Sequence, residues 1–260
     1  MIRYALLGLV QGLTEFLPVS SSGHLVIGER LLGLHPPGVL LEAFLHLGTL
    51  GAVLWVFRAD LAELALALTR RGTIERRKEI GFLIAGTIPI VVAGLLFRPV
   101  ADAVFSSLAV VGGGLLFTAL ALVAAEWLRA RATRREPRFV DSLVVGIAQA
   151  LALLPGVSRS GATISAGVSR GIEPSHAARF SFLLSIPALL GAALLNLWDA
   201  SAGGGWSGDW GGIAVGTAVA FVVGILGVHA LLAIVRRSRL WLFSIYCAGV
   251  GLTVLVLDLL

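Results

Sequence analysis

Two stretches of this chain repeat each other: Gly8–Gly23, GLVQGLTEFLPVSSSG, and Gly146–Gly161, GIAQALALLPGVSRSG. A constant offset of 138 aligns them without a gap. Gly8/Gly146, Gln11/Gln149, Leu13/Leu151, Val19/Val157, Ser20/Ser158, Ser22/Ser160 and Gly23/Gly161 are identical. Chance would supply roughly one or two identities over such a span, so the chain carries an internal repeat. Each copy is an apolar run, then a proline, then a Ser/Gly cluster that interrupts the helix. The copies differ where chemistry is expected. The first has Glu15 and His24 where the second has Leu153 and Ala162, and the second has Arg159 where the first has Ser21.

The surroundings of these breaks are set by hydropathy. Of 260 residues, 57% are hydrophobic and 13% charged, against about 25% charged in a soluble chain. Apolar runs of about 18 residues or more, enough to cross a bilayer core of about 30 Å, recur along the sequence. These features predict an all-α integral membrane protein and exclude a β-barrel, whose period-2 pattern is absent. The single cysteine, Cys247, sits in an apolar run, permits no internal disulfide or thiolate metal cluster, and reads as a small buried hydrophobe. The net charge of +5 comes from arginines in loops between apolar segments. That is a membrane-topology signal and not a nucleic-acid surface. The first 17 residues lack a small-residue cleavage site and are interrupted by Gln11 and Glu15, so they read as mature structure.

Ile2–Leu17 is about 24 Å long as a helix, too short for a full crossing. Pro18 and Ser20–Gly23 break it, a second short run follows from about His24 to Leu34, and His35–Gly38 ends that. Two short helices about a polar break predict a re-entrant hairpin. Val39–Phe57, Ile80–Phe97 and Leu108–Leu128 then read as crossings, with Pro89 kinking the second, and Arg58–Glu79 and Arg129–Arg138 as charged loops. The second copy repeats the plan. Phe139–Leu154 and Gly161–Gly171 form its hairpin, and Phe180–Trp198, Ile213–Val235 and Leu240–Leu260 its crossings. Residues 1–138 and 139–260 are thus two halves of one polytopic domain. Three crossings per half, an odd number, predict inverted-topology repeats. Positive-inside counting agrees. Loops 58–79, 129–138 and 236–239 are arginine-rich and fall on the cytoplasmic side, while 98–107 and 201–212 are arginine-poor. Trp55, Trp127, Trp198, Trp206, Trp210 and Trp241 read as interfacial anchors.

In the second break, small residues ahead of a helix N-terminus favour an anion, and Arg159 adds a fork of donors suited to phosphate. Ser158, Ser160 and Thr163 add hydroxyls. The bland alternative is that Arg159 pairs structurally with Glu15 across the repeat interface. In the first break, Gln11 and Glu15 share a helix face that leads to Ser20, Ser21 and Ser22, with His24 beyond. A carboxylate, an imidazole and hydroxyls at one buried point supply a metal ligand, acid/base groups and a nucleophile, although one serine is expected merely to cap the next helix. Glu42 and His46, also four apart, read as a supporting pair, a proton path or a structural contact. His35, His176 and His229 read as structural or interfacial.

At these two stretches the sequence resembles the undecaprenyl-diphosphate phosphatase family of bacteria, linked to bacitracin resistance. The motifs are Gln11-x3-Glu15 followed by Phe16–His24, and Pro155-Gly-x-Ser-Arg-Ser-x-x-Thr163. The resemblance implies hydrolysis of C55 polyprenyl diphosphate to the monophosphate carrier lipid with a divalent cation, Mg²⁺ or Ca²⁺, on the outer side of the plasma membrane. It also implies functional residues Glu15, Ser21, His24 and Arg159, with Gln11, Ser158, Ser160 and Thr163 around them; Ser20 and Ser22 are read beside these as further hydroxyls for the diphosphate. Glu15 would be a metal ligand with Gln11 beside it; many members carry Glu where this chain has Gln11. The nucleophile stays open among Ser21, His24 and water. The rival reading is a transporter or flippase for polyprenyl phosphate or another anion, since broken helices in inverted repeats suit carriers. The acid/base set favours chemistry. The expected partners are the bilayer and a polyprenyl diphosphate, with no nucleic acid; a homo-oligomer is left open.

Overall fold

The prolines of the two breaks decide where the first helix of each half stops. Helix α1 runs Ile2–Thr14 and its counterpart, α7, runs Phe139–Leu151. Both end earlier than the predicted Leu17 and Leu154. The ring of a proline clashes with the carbonyl four residues before it, and those residues are Thr14 for Pro18 and Leu151 for Pro155. The helices that follow start earlier than predicted, α2 at Ser21–Leu32 and α8 at Arg159–Ser169. Their starts are set by Ser20 and Ser158, whose hydroxyls accept the N–H of Gly23 at 3.4 Å and of Gly161 at 3.1 Å. Ser21, Ser22 and Arg159 therefore stand on the first turns of helices and not in the loops.

The computed structural model describes residues 1–32, 39–69, 72–100, 104, 107–202 and 209–259. His35, Trp206, and Arg70 and Arg71 of the first basic loop lie outside the described residues. Among the described residues there is no strand, only one isolated parallel bridge between Arg134 and Ile172. The remaining helices are α3 (Val39–Val56), α4 (Arg58–Ala67), α5 (Ile74–Phe97), α6 (Leu108–Leu128), α9 (Pro174–Ala202), α10 (Trp210–Arg236) and α11 (Trp241–Leu259). Five of them, α5, α6, α9, α10 and α11, are long and apolar enough to cross a membrane. Helices α3 and α4, which meet at 75°, bring the number to six when they are counted together as one broken span. The chain is thus a multi-pass helical membrane protein.

The charged stretch 58–79 is largely helical and not the loop the sequence predicts. Arg179 on α9 binds Asp60 on α4 and Glu79 on α5, while Arg76 reaches Glu63 and Glu79. With the charges satisfied in this way, α5 begins six residues before the predicted Ile80. Likewise α9 begins at Pro174, a residue suited to the first helical turn, and not at Phe180. Pro89 sits inside an α5 that continues through it.

A second ionic cluster locks the second half. Asp141 is fully buried at the start of α7 and accepts from Arg134 Nη1 at 2.7 Å, Arg170 Nε at 2.9 Å and the Arg138 backbone N–H at 2.9 Å. The Asp141→Asn variant loses charge-assisted bonds worth about 1.5–3 kcal/mol each, so its unfolding midpoint in detergent should fall by several degrees. An unchanged midpoint would show that the cluster contributes nothing.

Packing between the helices follows small residues. Helix α1 lies on α10, and α7 lies on α5. A Cβ on Gly8 would stand 2.3 Å from the Gly216 carbonyl oxygen, and one on Gly146 would stand 2.4 Å from that of Gly86. Helices α3 and α9 pack together, as do α6 and α11. The core is centred on Phe16, Phe57 and Phe182, with ring centroids 5.8 Å (Phe16–Phe182) and 5.5 Å (Phe57–Phe182) apart, and it closes directly under the first break. Trp55, Trp127, Trp198, Trp210 and Trp241 are exposed, as expected of residues facing lipid headgroups.

Candidate active site

The two breaks touch. A Cβ on Gly161 would lie 3.3 Å from Pro18 Cβ, and one on Gly23 would lie 3.6 Å from Gly156 Cα. Gly156 has φ +89°, and a Cβ there would stand 2.0 Å from the Val111 carbonyl oxygen, so only glycine turns the chain at this point. Ser20, with φ +69°, holds the same left-handed region without being glycine. Such strain persists only where the surroundings impose it, and it gathers at functional sites.

Glu15 is the hub of the junction. Its Oε1 accepts Arg159 Nη2 at 2.7 Å, which joins the second break to the first. Its Oε2 accepts the Ser21 hydroxyl at 2.6 Å and Gln11 Nε2 at 3.2 Å. The carboxylate is nearly buried, and Ser21, Ser22, His24 and Arg159 are partly buried. Arg159 keeps Nη1 buried with no partner. A buried guanidinium N–H left open beside a satisfied ion pair is a vacant donor for an anion. His46 on α3 has its Nδ1 2.8 Å from the Glu42 carbonyl.

His24 points away from this hub. Its Nδ1 lies 2.8 Å from the Ser20 carbonyl and its Nε2 2.7 Å from the Tyr246 hydroxyl. On the other side, Ser158 and Ser160 bond each other at 3.2 Å and Thr163 bonds Ser181 at 2.6 Å, all of them buried. Ser20 and Ser22 repeat the first of these contacts at 3.3 Å.

The sequence profile of the family described as "Bacitracin resistance protein BacA" matches residues 4–253. Among curated relatives, the undecaprenyl-diphosphatase of Desulfatibacillum aliphaticivorans is 42% identical over 272 residues, covering 98% of each chain. That of Syntrophotalea carbinolica is 43% identical over 250 residues, covering 95% of this chain and 94% of its own. That of Korarchaeum cryptofilum is 40% identical over 261 residues, covering 97% of each. This chain belongs to the BacA family. The resemblance drawn from the two breaks thus holds over nearly the whole length.

In this BacA-family member the residues singled out from the sequence do not form one cluster. Gln11, Glu15, Ser21 and Arg159 meet in a single network, and His24 on α2 stands beside it, turned toward Tyr246 on α11. Ser20, Ser22, Ser158, Ser160 and Thr163 are engaged in building the two caps. The pairing of Arg159 with Glu15, foreseen as the bland alternative, is present, and the free Nη1 leaves room for an anion as well. Three contributors were not foreseen: Thr118, whose hydroxyl accepts the Ser158 N–H at 2.9 Å and donates to the Gly156 carbonyl at 3.2 Å, Ser181, and Tyr246. Each is a polar side chain within an apolar run, a signal that marks function in membrane helices.

For the implied cation, the test is whether oxygen donors are present. Among the described residues no group of three His, Cys, Asp or Glu is placed to hold a metal. The Gln11 carbonyl oxygen is nevertheless buried and unpartnered, one helical turn from the Glu15 carboxylate. Two protein oxygens of this kind fit a hard divalent ion completed by phosphate oxygens.

Proposed function

We propose that this protein hydrolyses undecaprenyl diphosphate to undecaprenyl phosphate and inorganic phosphate at the junction of the two breaks. The observation that carries the reading is the Ser21–Glu15–Arg159 network. It holds a hydroxyl on a carboxylate at 2.6 Å and, 2.7 Å from the other carboxylate oxygen, a guanidinium with a free N–H. Relatives bearing the name undecaprenyl-diphosphatase over nearly full length support the substrate.

Catalysis of phosphoryl transfer is mostly positioning and charge neutralisation. Arg159 Nη1 and the N-terminal end of α8 attract the diphosphate. The Ser21 oxygen, or a water in its place, attacks the terminal phosphorus while Glu15 Oε2 takes the proton. The phosphoanhydride bond breaks, and the bridging oxygen leaves with the lipid monophosphate. If Ser21 attacks, a water then bonds to the phosphorus as the P–Oγ bond breaks, and the Ser21 oxygen takes back the proton held by Glu15. His24 lies outside hydrogen-bond contact with Ser21, so Glu15 is the base for that hydroxyl. Glu15 and Gln11 would hold Mg²⁺ or Ca²⁺, which supplies charge neutralisation at the phosphate oxygens.

The halves act as inverted repeats. The contact of α1 with α10, mirrored by that of α7 with α5, supports this, as do the matching caps at Ser20 and Ser158. The arginine-rich loops support a cytoplasmic placement for 58–79, 129–138 and 236–239, with the first hairpin dipping from the outer face of a bacterial plasma membrane.

Phosphate release from undecaprenyl diphosphate by purified variants tests the assignment of roles. Ser21→Ala should lower turnover by about 10²–10⁴-fold, the range for a nucleophile and its base. Ser22→Ala, which removes one neutral hydrogen bond, should cost about tenfold or less. Equal losses in the two variants would remove Ser21 from its role.

A further inference from the structure

The hydroxyl of Tyr246 on α11 meets His24 on α2 across 222 positions of sequence. The two rings lie nearly parallel, 14° apart, with centroids separated by 5.7 Å. His24 Nδ1 faces the Ser20 carbonyl, which can only accept, so Nδ1 carries a hydrogen. In the neutral imidazole Nε2 is then the acceptor, and the phenol donates to it. Both nitrogens are held by partners from separate elements, and one of these, Ser20, is in a left-handed conformation that aims its carbonyl at the ring.

The hydroxyl is not needed to dock α11. Cys247 Sγ already donates to the Pro18 carbonyl at 3.4 Å, and α11 packs along α6. Tyr246 also lines an apolar cavity of about 600 Å³ between α2 and α11, together with Ile27, Ile245 and Val250. His24 is therefore where the polar junction meets an apolar space, and Tyr246 belongs to both.

We propose that Tyr246 is a positioning residue for His24, its hydroxyl donating to Nε2 and fixing the imidazole as the Nδ1–H tautomer beside the junction of the two breaks. The positioning role rests on the hydrolase reading; the tautomer does not. Tyr246→Phe keeps the ring and its stacking and removes only the donor. We expect kcat to fall about tenfold with KM within about twofold. In protein labelled with ¹⁵N-histidine, the His24 Nε2 resonance, identified by its loss in His24→Asn, should move toward that of an unbonded imidazole nitrogen. Tyr4→Phe, at the chain's other tyrosine, should change neither. Wild-type kcat in Tyr246→Phe, or unmoved His24 nitrogen resonances, would overturn the proposal. A wild-type protein that releases no phosphate would count against the hydrolase reading, and the nitrogen resonances would still decide whether Tyr246 sets the tautomer.

Discussion

Arg159→Ala is expected to lower phosphate release by about 10³–10⁵-fold, the span seen when an arginine that neutralises a transferring phosphoryl group is removed. It should also destabilise the fold. Glu15 is buried, and without Arg159 its charge keeps only the Ser21 hydroxyl and the Gln11 amide. Removing one member of a buried ion pair costs about 3–5 kcal/mol, mostly as the penalty of the charge left behind. The two effects separate in a double variant. Glu15→Gln/Arg159→Ala carries no stranded charge, so it should recover much of the lost stability and none of the activity. Thermal unfolding in detergent and phosphate release, measured on the same preparations, check both halves. A double variant as unstable as Arg159→Ala would show that the ion pair is not the source of the loss.

The second large effect is expected at the helix crossings. Gly146→Leu puts a Cβ where the Gly86 carbonyl oxygen stands 2.4 Å away, and Gly8→Leu does the same against Gly216 at 2.3 Å. Both neighbours are backbone, so no side chain can turn aside and the helices must separate. Overpacking of this kind costs about 1–3 kcal/mol or more, and here it also displaces α7 or α1, which end at the breaks. The yield of monodisperse protein should fall sharply in both variants, and turnover of what remains should fall with it. Gly94→Leu and Gly191→Leu, where an added Cβ meets nothing within 4 Å, should behave as wild type. Normal yield and turnover in Gly146→Leu would mean that α5 and α7 do not approach as closely as described.

Much of this was legible in the residues because a proline and a serine cap act locally. Pro18 and Pro155 stop helices, Ser20 and Ser158 start them, and the 138-residue offset makes the two events readable as a pair. The helix boundaries lie a few residues from where apolar runs place them, because a proline stops a helix four positions upstream of itself and a cap starts one immediately. The charged stretch from Arg58 to Glu79 reads as a loop in the linear sequence because its partner, Arg179, lies 100 residues or more away along the chain. Of the site, the motif residues Gln11, Glu15, Ser21 and Arg159 were visible. Their division of labour was not. Nothing in the linear order says that His24 turns toward Tyr246, or that Thr118 braces the second break from α6. Those contacts depend on how α6 and α11 pack, and apolar periodicity does not encode which polar residue faces inward.

In the proposed function, Glu15 on one break and Arg159 on the other make a single phosphatase site. The most direct measurement is inorganic phosphate released from undecaprenyl diphosphate by purified wild-type protein with Mg²⁺ or Ca²⁺, alongside Glu15→Gln, Arg159→Ala and the double variant. The wild type should release one phosphate per lipid. The double variant should be no worse than the poorer single one, because the two residues act as a unit. No release from the wild type, or losses that multiply in the double variant, would contradict it.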